Sequence, residues 1–317
     1  MSSFSTQQTS TASHSSRTRS GLVSAIGAYL IWGTFPLYFA LTLPATPYEI
    51  VSIRVLFSLL FCAVILCFIP HGYQKFWQVL SRPKTLLVLS AAALLIGANW
   101  LFYVIATTTG HTLDASLGYF INPLVNVLLG VFFLQERLRV LQWVAVGIAA
   151  IAVLVMSVLY GQIPWLGLGL AFTFAFYGLV KNKLGGKVPP IAAFTVETLA
   201  LAPVAIVVLY VLWQQHHLTL LSEGTAHFWI LAASGILTTL PLLLFADAAS
   251  KLPLSLVGII QYMTPTIQFF LAILVFGEQL TAERWIGFIL VWIAVALFTA
   301  DAIRSSRVRR RAVLKAV

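Results

Sequence analysis

Residues 122–143 read NPLVNVLLGVFFLQERLRVLQW, and residues 264–285 read TPTIQFFLAILVFGEQLTAERW. Laid over one another at an offset of 142 residues, without a gap, they match Pro123 with Pro265, Leu129 with Leu271, Glu136 with Glu278, Leu138 with Leu280 and Trp143 with Trp285. They also set Asn126 opposite Gln268. Leucine matches are common in an apolar chain, but only 13 Pro, 9 Trp and 9 Asp plus Glu are spread over the 317 residues, so the coincidence of these types carries weight. With one more residue of slip Pro47 meets Pro190 and Arg54 meets Glu197. The chain reads as a duplicated unit, and that duplication organises everything else in it.

The medium in which the two units fold follows from composition. Hydrophobic residues make up 60% and charged residues 9%, against about 25% charged in a soluble domain, and the mean hydropathy is +0.96. Such a chain belongs in a bilayer. A span needs roughly 20 apolar residues, and runs of about that length fall near 21–43, 50–69, 84–107, 115–134, 140–160, 164–180, 190–212, 227–249, 253–276 and 282–301. No stretch remains for a sizeable soluble domain, which excludes an extramembrane catalytic or DNA-binding domain. The expected fold is an all-α membrane protein of ten transmembrane helices in two inverted five-helix repeats, 21–160 and 161–301. A Ser- and Thr-rich N-terminal tail over 1–20 is expected to be disordered, and a basic cytoplasmic tail covers 302–317. The run 21–43 is longer than a signal-peptide core and lacks a small-residue cleavage site.

The positive charges test the span count, because Lys and Arg collect on cytoplasmic loops. With the N-terminal tail inside, all of the 19 Lys and Arg except Arg54 and Arg284 fall on inner segments. Both termini are then cytoplasmic. The net charge of +10 is accounted for by orientation and anionic lipid, not by nucleic acid. Five spans per repeat is an odd number, so the second copy enters the membrane from the opposite side. Consistent with this, Arg137 and Arg139 correspond to the uncharged Gln279 and Thr281. Halves of opposite orientation are an architecture of secondary transporters, in which a site between them opens to either face in turn. Cys62 and Cys67, five apart in one run, would stand about 8.5 Å apart on a helix, too far to bridge.

Five strings carry a resemblance: WGTFPLY at Trp32–Tyr38, GANWL at Gly97–Leu101, ASLGYFINPLVNVLLG at Ala115–Gly130, QERL at 135–138 with Trp143, and QYMTPTIQF at Gln261–Phe269 with Glu278. From about Gly21 to Asp301 the chain resembles the RarD-type transporters of the EamA family, within the drug/metabolite transporter superfamily. The resemblance implies a bacterial inner-membrane exporter of small metabolites or drugs, built from two five-span halves. It implies no particular substrate.

Polar groups inside a span are costly unless they face a cavity or a partner, so each marks a candidate site. Asn122 and Asn126 flank Pro123 within one turn of the fourth span, and Gln261, Tyr262 and Gln268 surround Pro265 on the ninth. A proline frees a carbonyl one turn earlier, which is tolerated at membrane depth beside a cavity or a neighbouring helix; hydrogen bonding between packed helices accounts for the amides equally simply. Asn99, Trp100 and Tyr103 on the third span, with Trp32 on the first, would supply an aromatic wall with a few polar groups, suited to an amphipathic solute. Arg54 and Glu197 occupy matching positions in the two halves. Glu197 is the first candidate for proton coupling and Asp247 the second, although Lys251 four residues on offers Asp247 a helical ion pair. Glu136 and Glu278 end matching spans and read as structural, and Asp114 reads as a helix N-cap. His216, His217, Glu223 and His227 have no metal-ligand spacing.

There is no GxxxxGK[ST] loop, no HExxH and no nucleophile triad, so neither an enzyme nor a cofactor or metal is expected. The sequence therefore predicts a secondary transporter that exports small amphipathic metabolites or drugs by alternating access, with a small-molecule substrate and the lipid bilayer as its partners. Two other readings stay open: an importer or facilitator, and a membrane sensor or scaffold without flux.

Overall fold

The structure, a computed structural model, describes residues 4–316 except 136, 160–162, 183 and 185–187. Among the described residues the regular structure is helical throughout, with no strand. The helices are α1 (Phe4–Gly33), α2 (Phe35–Ala40), α3 (Pro47–Phe68), α4 (Gly72–Leu80), α5 (Pro83–Thr108), α6 (Thr112–Leu134), α7 (Val140–Leu159), α8 (Trp165–Asn182), α9 (Pro190–Gln214), α10 (Gly224–Lys251), α11 (Leu254–Ile260), α12 (Met263–Leu274) and α13 (Ala282–Ala316). Nine segments among them are long and apolar enough to cross a membrane. The run read near 164–180 is α8, eighteen residues ending on Lys181 and Asn182, and it is not one of the nine. α1 and α13 continue beyond their apolar spans, to Phe4 and Ala316, so the segments read as tails lie on their extensions.

Prolines set several helix starts. Pro47, Pro83 and Pro190 each occupy the first turn of α3, α5 and α9, where the missing N–H has no partner to lose. Thr46 caps α3 by accepting from the backbone N–H of Glu49 at 3.3 Å. The matched prolines Pro123 and Pro265 behave differently. Pro123 lies inside an unbroken α6, whereas Pro265 stands in the first turn of α12, just past the break at Gln261 and Tyr262 that separates α11 from α12. A proline three residues into a helix costs no internal hydrogen bond, so the chain ends α11 rather than carrying the defect.

A polar correction concerns the start of α6. Asp114 does not cap it: the N-cap position is His111 and has no side-chain capping bond. The carboxylate of Glu278 instead accepts from the N–H groups of Thr112 at 2.6 Å and Leu113 at 3.0 Å, and Asp114 turns toward Arg284, 3.9 Å away. A carboxylate from the connection between α12 and α13 thus meets the orphan donors and the positive end of α6. The counterpart Glu136 lies outside the described residues.

Helix α3 packs on α9 and α10, α5 on α8 and α9, α6 on α8 and α12, α1 on α10 and α12, and α7 on α13. Small residues allow the closest crossings. Gly118 of α6 and Gly167 of α8 meet backbone to backbone, and Gly235 of α10 lies against the backbone of Phe57 on α3. Close approach of this kind is the main source of helix affinity in lipid, where apolar burial drives little. The outward faces stay apolar, with Phe68 82% and Leu274 76% exposed, as a lipid contact requires.

These crossings give a testable ranking. Gly167→Val places carbon inside the α6 backbone and is expected to cost about 1–3 kcal/mol, lowering the unfolding temperature and the monodisperse yield in detergent. Gly147→Ala, on an open face of α7 where an added Cβ meets nothing within 4 Å, is expected to leave both unchanged.

Candidate functional site

A cavity of about 610 Å³ lies among α1, α3, α5, α6, α8, α9, α10 and α12. This is within the usual range for small-molecule sites, about 300–1,000 Å³. One end is made by Phe35, Arg54, Tyr103 and Thr238, all buried; the other by Lys181, Leu184, Val188 and Ala249, all part-exposed. The lining is thus buried at the Arg54 end and part-exposed at the Lys181 end.

The Arg54 end is closed by aromatic packing. Phe35 and Phe39 of α2 meet edge to face at 5.7 Å, and Phe39 meets Tyr103 at 5.9 Å. These rings belong to a buried cluster with Ile50, Ile53 and Leu231. The Tyr38 hydroxyl donates to the carbonyl of Ile230 at 2.7 Å, pinning α2 to α10. Farther out, Glu49, fully buried, accepts from the N–H groups of Thr219 and Leu220, each at 2.8 Å, and from the Thr219 hydroxyl at 3.0 Å. The start of α3 is thereby fastened to the loop between α9 and α10.

Arg54 sits inside this end at 4% exposure. Its Nε donates to the Thr238 hydroxyl at 2.6 Å, its guanidinium lies 4.5 Å from the centre of the Trp100 ring, and Phe35 and Phe39 are 5.4 and 5.8 Å away. Arginine over an aromatic face is stabilised by the ring quadrupole, which helps hold a charge that lipid would expel. Nη1 has no hydrogen-bond partner.

Of the residues singled out in the sequence, Trp32, Arg54, Asn99, Trp100, Tyr103, Asn122, Gln261 and Gln268 line the cavity together. Two of the amides also tie helices. Asn99 donates to the Leu170 carbonyl at 3.0 Å and the Thr173 hydroxyl at 3.1 Å; Gln268 donates to the Trp32 carbonyl at 3.1 Å and the Tyr103 hydroxyl at 2.8 Å. Interhelical bonding and cavity lining are therefore properties of the same side chains.

Asn126, Glu197, Tyr262 and Asp247 stand apart from the wall. Asn126 is exposed one turn beyond the cavity and donates to Asn122 at 3.5 Å. Tyr262 stacks on Phe120 at 6.4 Å in the cluster under α6 and α13. Asp247 pairs with Lys251 at 2.7 Å and accepts from Ser24 at 2.7 Å. Glu197 is 1% exposed and accepts from Lys181 at 2.6 Å and Tyr177 at 3.2 Å. Its charge is answered by Lys181, and it is Lys181 and Tyr177 that face the cavity.

Sequence reasoning missed Phe35, Tyr119, Lys181 and Thr238. Thr238 and Thr239 lie together in the middle of an apolar run, and that pairing was a readable signal; Thr238 Oγ1 also donates to the Ser234 carbonyl at 2.7 Å, which satisfies its proton and leaves the oxygen to accept from Arg54.

Two stretches of the chain, 19–158 and 163–300, match the EamA-like transporter family. Protein RarD of Streptomyces exfoliatus is 43% identical over 302 residues, 94% of this chain and 93% of its own. Protein RarD of Escherichia coli strain K12 is 41% identical over 291 residues, 92% of this chain and 97% of its own. A solved crystal structure of a protein 18% identical covers 88% of this chain and 96% of its own with a TM-score of 0.54, a likeness of fold alone.

The Lys181–Glu197 pair yields a prediction. Lys181→Met strands a buried carboxylate and is expected to cost about 2–3 kcal/mol, less than the usual figure for a fully buried pair because the lysine is part-exposed. In thermal unfolding the double variant Lys181→Met/Glu197→Gln should recover most of that loss.

Proposed function

The chain is a RarD-type member of the EamA-like transporter family, a multi-pass membrane protein whose relatives are transporters rather than enzymes, and from that membership we propose that it carries a small amphipathic solute by alternating access. The observation that carries the reading is the cavity itself: its lining comes from both halves of the chain and is buried at one end and part-exposed at the other. A scaffold has no use for such a passage.

The proposal includes ten spans, with α8 as the sixth, in two halves related by a pseudo-two-fold axis in the membrane plane. The helix pairing supports this. Let α1, α3, α5, α6 and α7 exchange with α8, α9, α10, α12 and α13 in order. The α1–α10 contact then becomes α5–α8, α6–α8 becomes α1–α12, and α3–α10 becomes α5–α9. The α3–α9, α6–α12 and α7–α13 contacts map onto themselves. Two halves that can trade conformations are what alternating access requires. The polar tail 1–20 and the basic tail 302–317 lie outside the repeats, 21–160 and 161–301.

Placed in the bacterial inner membrane with both termini cytoplasmic, the Lys181 end of the cavity faces the cytoplasm and the Arg54 end lies under the outer face. Loading from inside and release outside make this an exporter. Glu197, held by Lys181 and Tyr177 beside the inner mouth, is the group best placed to couple a proton: protonation would dissolve its pairing with Lys181 and loosen α8 from α9. Asp247, paired at the end of α10, is second.

Orientation is checked by thiol labelling in a Cys62→Ala/Cys67→Ala background. A cysteine at the exposed Ser222 is expected to react with a membrane-impermeant maleimide in intact cells, and one at Ser81 only after permeabilisation. Activity is checked by comparing metabolites in cells lacking and overproducing the protein, then by flux of the enriched solute from proteoliposomes. Trp100→Ala is expected to lower that flux by about tenfold or more, in line with the loss of one aromatic contact, and Glu197→Gln to abolish its response to a pH gradient. Gradient-driven flux that persists in Glu197→Gln removes that residue from coupling.

A further inference from the structure

The charges around the cavity do not balance, and the imbalance is local. Arg54 is 96% removed from solvent contact by its 4% exposure, its Nη1 has no partner, and among the described residues no carboxylate is paired with it. Six of the acids are committed elsewhere: Glu197 to Lys181, Asp247 to Lys251, Asp301 to Arg139, Asp114 toward Arg284, Glu278 to the first amides of α6 and Glu49 to the Thr219 loop. The second cation on the wall, Lys181, is neutralised by Glu197. Among the described residues that line it, the cavity therefore presents one uncompensated positive charge, Arg54 at its sealed end, and no uncompensated negative charge.

The surroundings of that charge are aromatic. Trp100 lies against the guanidinium at 4.5 Å. Trp32 and Phe245, their rings 6.0 Å apart, line the same space with Ile96 and Leu242. Buried guanidinium groups find their best partners in carboxylate or phosphate oxygens, which take up the unmet N–H groups directly. A substrate amine would meet the opposite: a like charge and no acid to receive it.

We propose that the carried solute is an organic anion with an aromatic or apolar body, its carboxylate seated on Arg54 and its ring against Trp100. The inference rests on the transport reading above and adds the substrate class. It also assigns Arg54 as the residue that selects by charge, through its guanidinium, while Thr238 holds Nε and fixes the guanidinium plane. A neutral or cationic solute of the same shape is discriminated against, because binding it leaves the arginine unanswered or repelled.

The test uses the full-length protein in nanodiscs and three isosteric probes: 3-phenylpropionate, 3-phenylpropionamide and 3-phenylpropylamine, with inorganic phosphate as a bodiless anion. Binding is read by quenching of tryptophan fluorescence and by the shift in unfolding temperature. The carboxylate is expected to bind about tenfold or more tighter than the amide, the margin of one charge-assisted hydrogen bond, and the amine more weakly than either. Arg54→Gln should bring carboxylate and amide to within about twofold of each other, and Arg54→Lys should restore the preference in part. The wild-type series alone decides the matter if the Arg54→Gln variant fails to fold. An amide or amine that equals the carboxylate, phosphate that protects as well as the carboxylate, or failure of the whole series to bind overturns the proposal. Binding is measured without flux, so a protein that shows the preference but moves no solute would sink the transport reading and leave this one standing.

Discussion

Everything in this protein answers to one constraint: inside lipid there is no water to satisfy a polar group, so each one must be met by another part of the chain. The consequence is visible in where the acids end. Glu278 reaches across from the end of its span to hold two amides of α6, and Glu49 gathers two amides and a hydroxyl from a loop roughly 170 residues away. Glu197 draws Lys181 inward. These contacts are local solutions to desolvation, and each one ties together helices distant in sequence. Cohesion between helices is thus partly a by-product of hiding charge.

Against that background the departures are informative. Arg54 and Glu197 occupy matching positions of the two repeats, yet one is paired with a charge and the other is held only by a hydroxyl and aromatic faces. Pro123 and Pro265 match as well, yet one helix is continuous and the other divided at Gln261 and Tyr262. A pair of halves in identical conformations would show neither difference. Under the proposed two-fold relation, a cavity sealed at one end and part-exposed at the other requires the halves to differ, and among the residues at which they differ Arg54, Gln261 and Pro265 line it.

The helical, membrane-spanning character was legible because its signals, composition and the length of apolar runs, are one-dimensional. Both can be read without knowing where a side chain points; the placement of Lys and Arg and the 142-residue offset carry the proposed orientation and inverted halves in the same way. The wall of the cavity was legible only in part. A helix that is apolar all round carries no stripe to show which face turns inward, so Asn122 and Asn126 were assigned together although only the first reaches the cavity. Tyr262 looked equivalent to its neighbours and packs instead on Phe120. Glu197 was found as a buried acid, but nothing in the sequence marks Lys181, sixteen residues earlier on another helix, as its partner. The role of Glu278 was visible in kind, as structural, while its reach to the first amides of α6 depends on tertiary packing.

The seal and the charge at the closed end share their atoms. Phe35 and Phe39 close the cavity by packing on Tyr103, and the same two rings lie within 6 Å of the Arg54 guanidinium. Thr238 and Arg54 join α10 to α3 beneath them. A solute seated on the guanidinium changes the field in which those rings sit and competes for the charge that the rings now help to stabilise. Were the aromatic seal and the charged group out of contact, loading could proceed without disturbing the closure. Because α2, α3 and α10 contribute to both, occupancy of the site and the strength of the seal are one equilibrium, and a ligand can bias it only as far as it binds the open and closed arrangements differently.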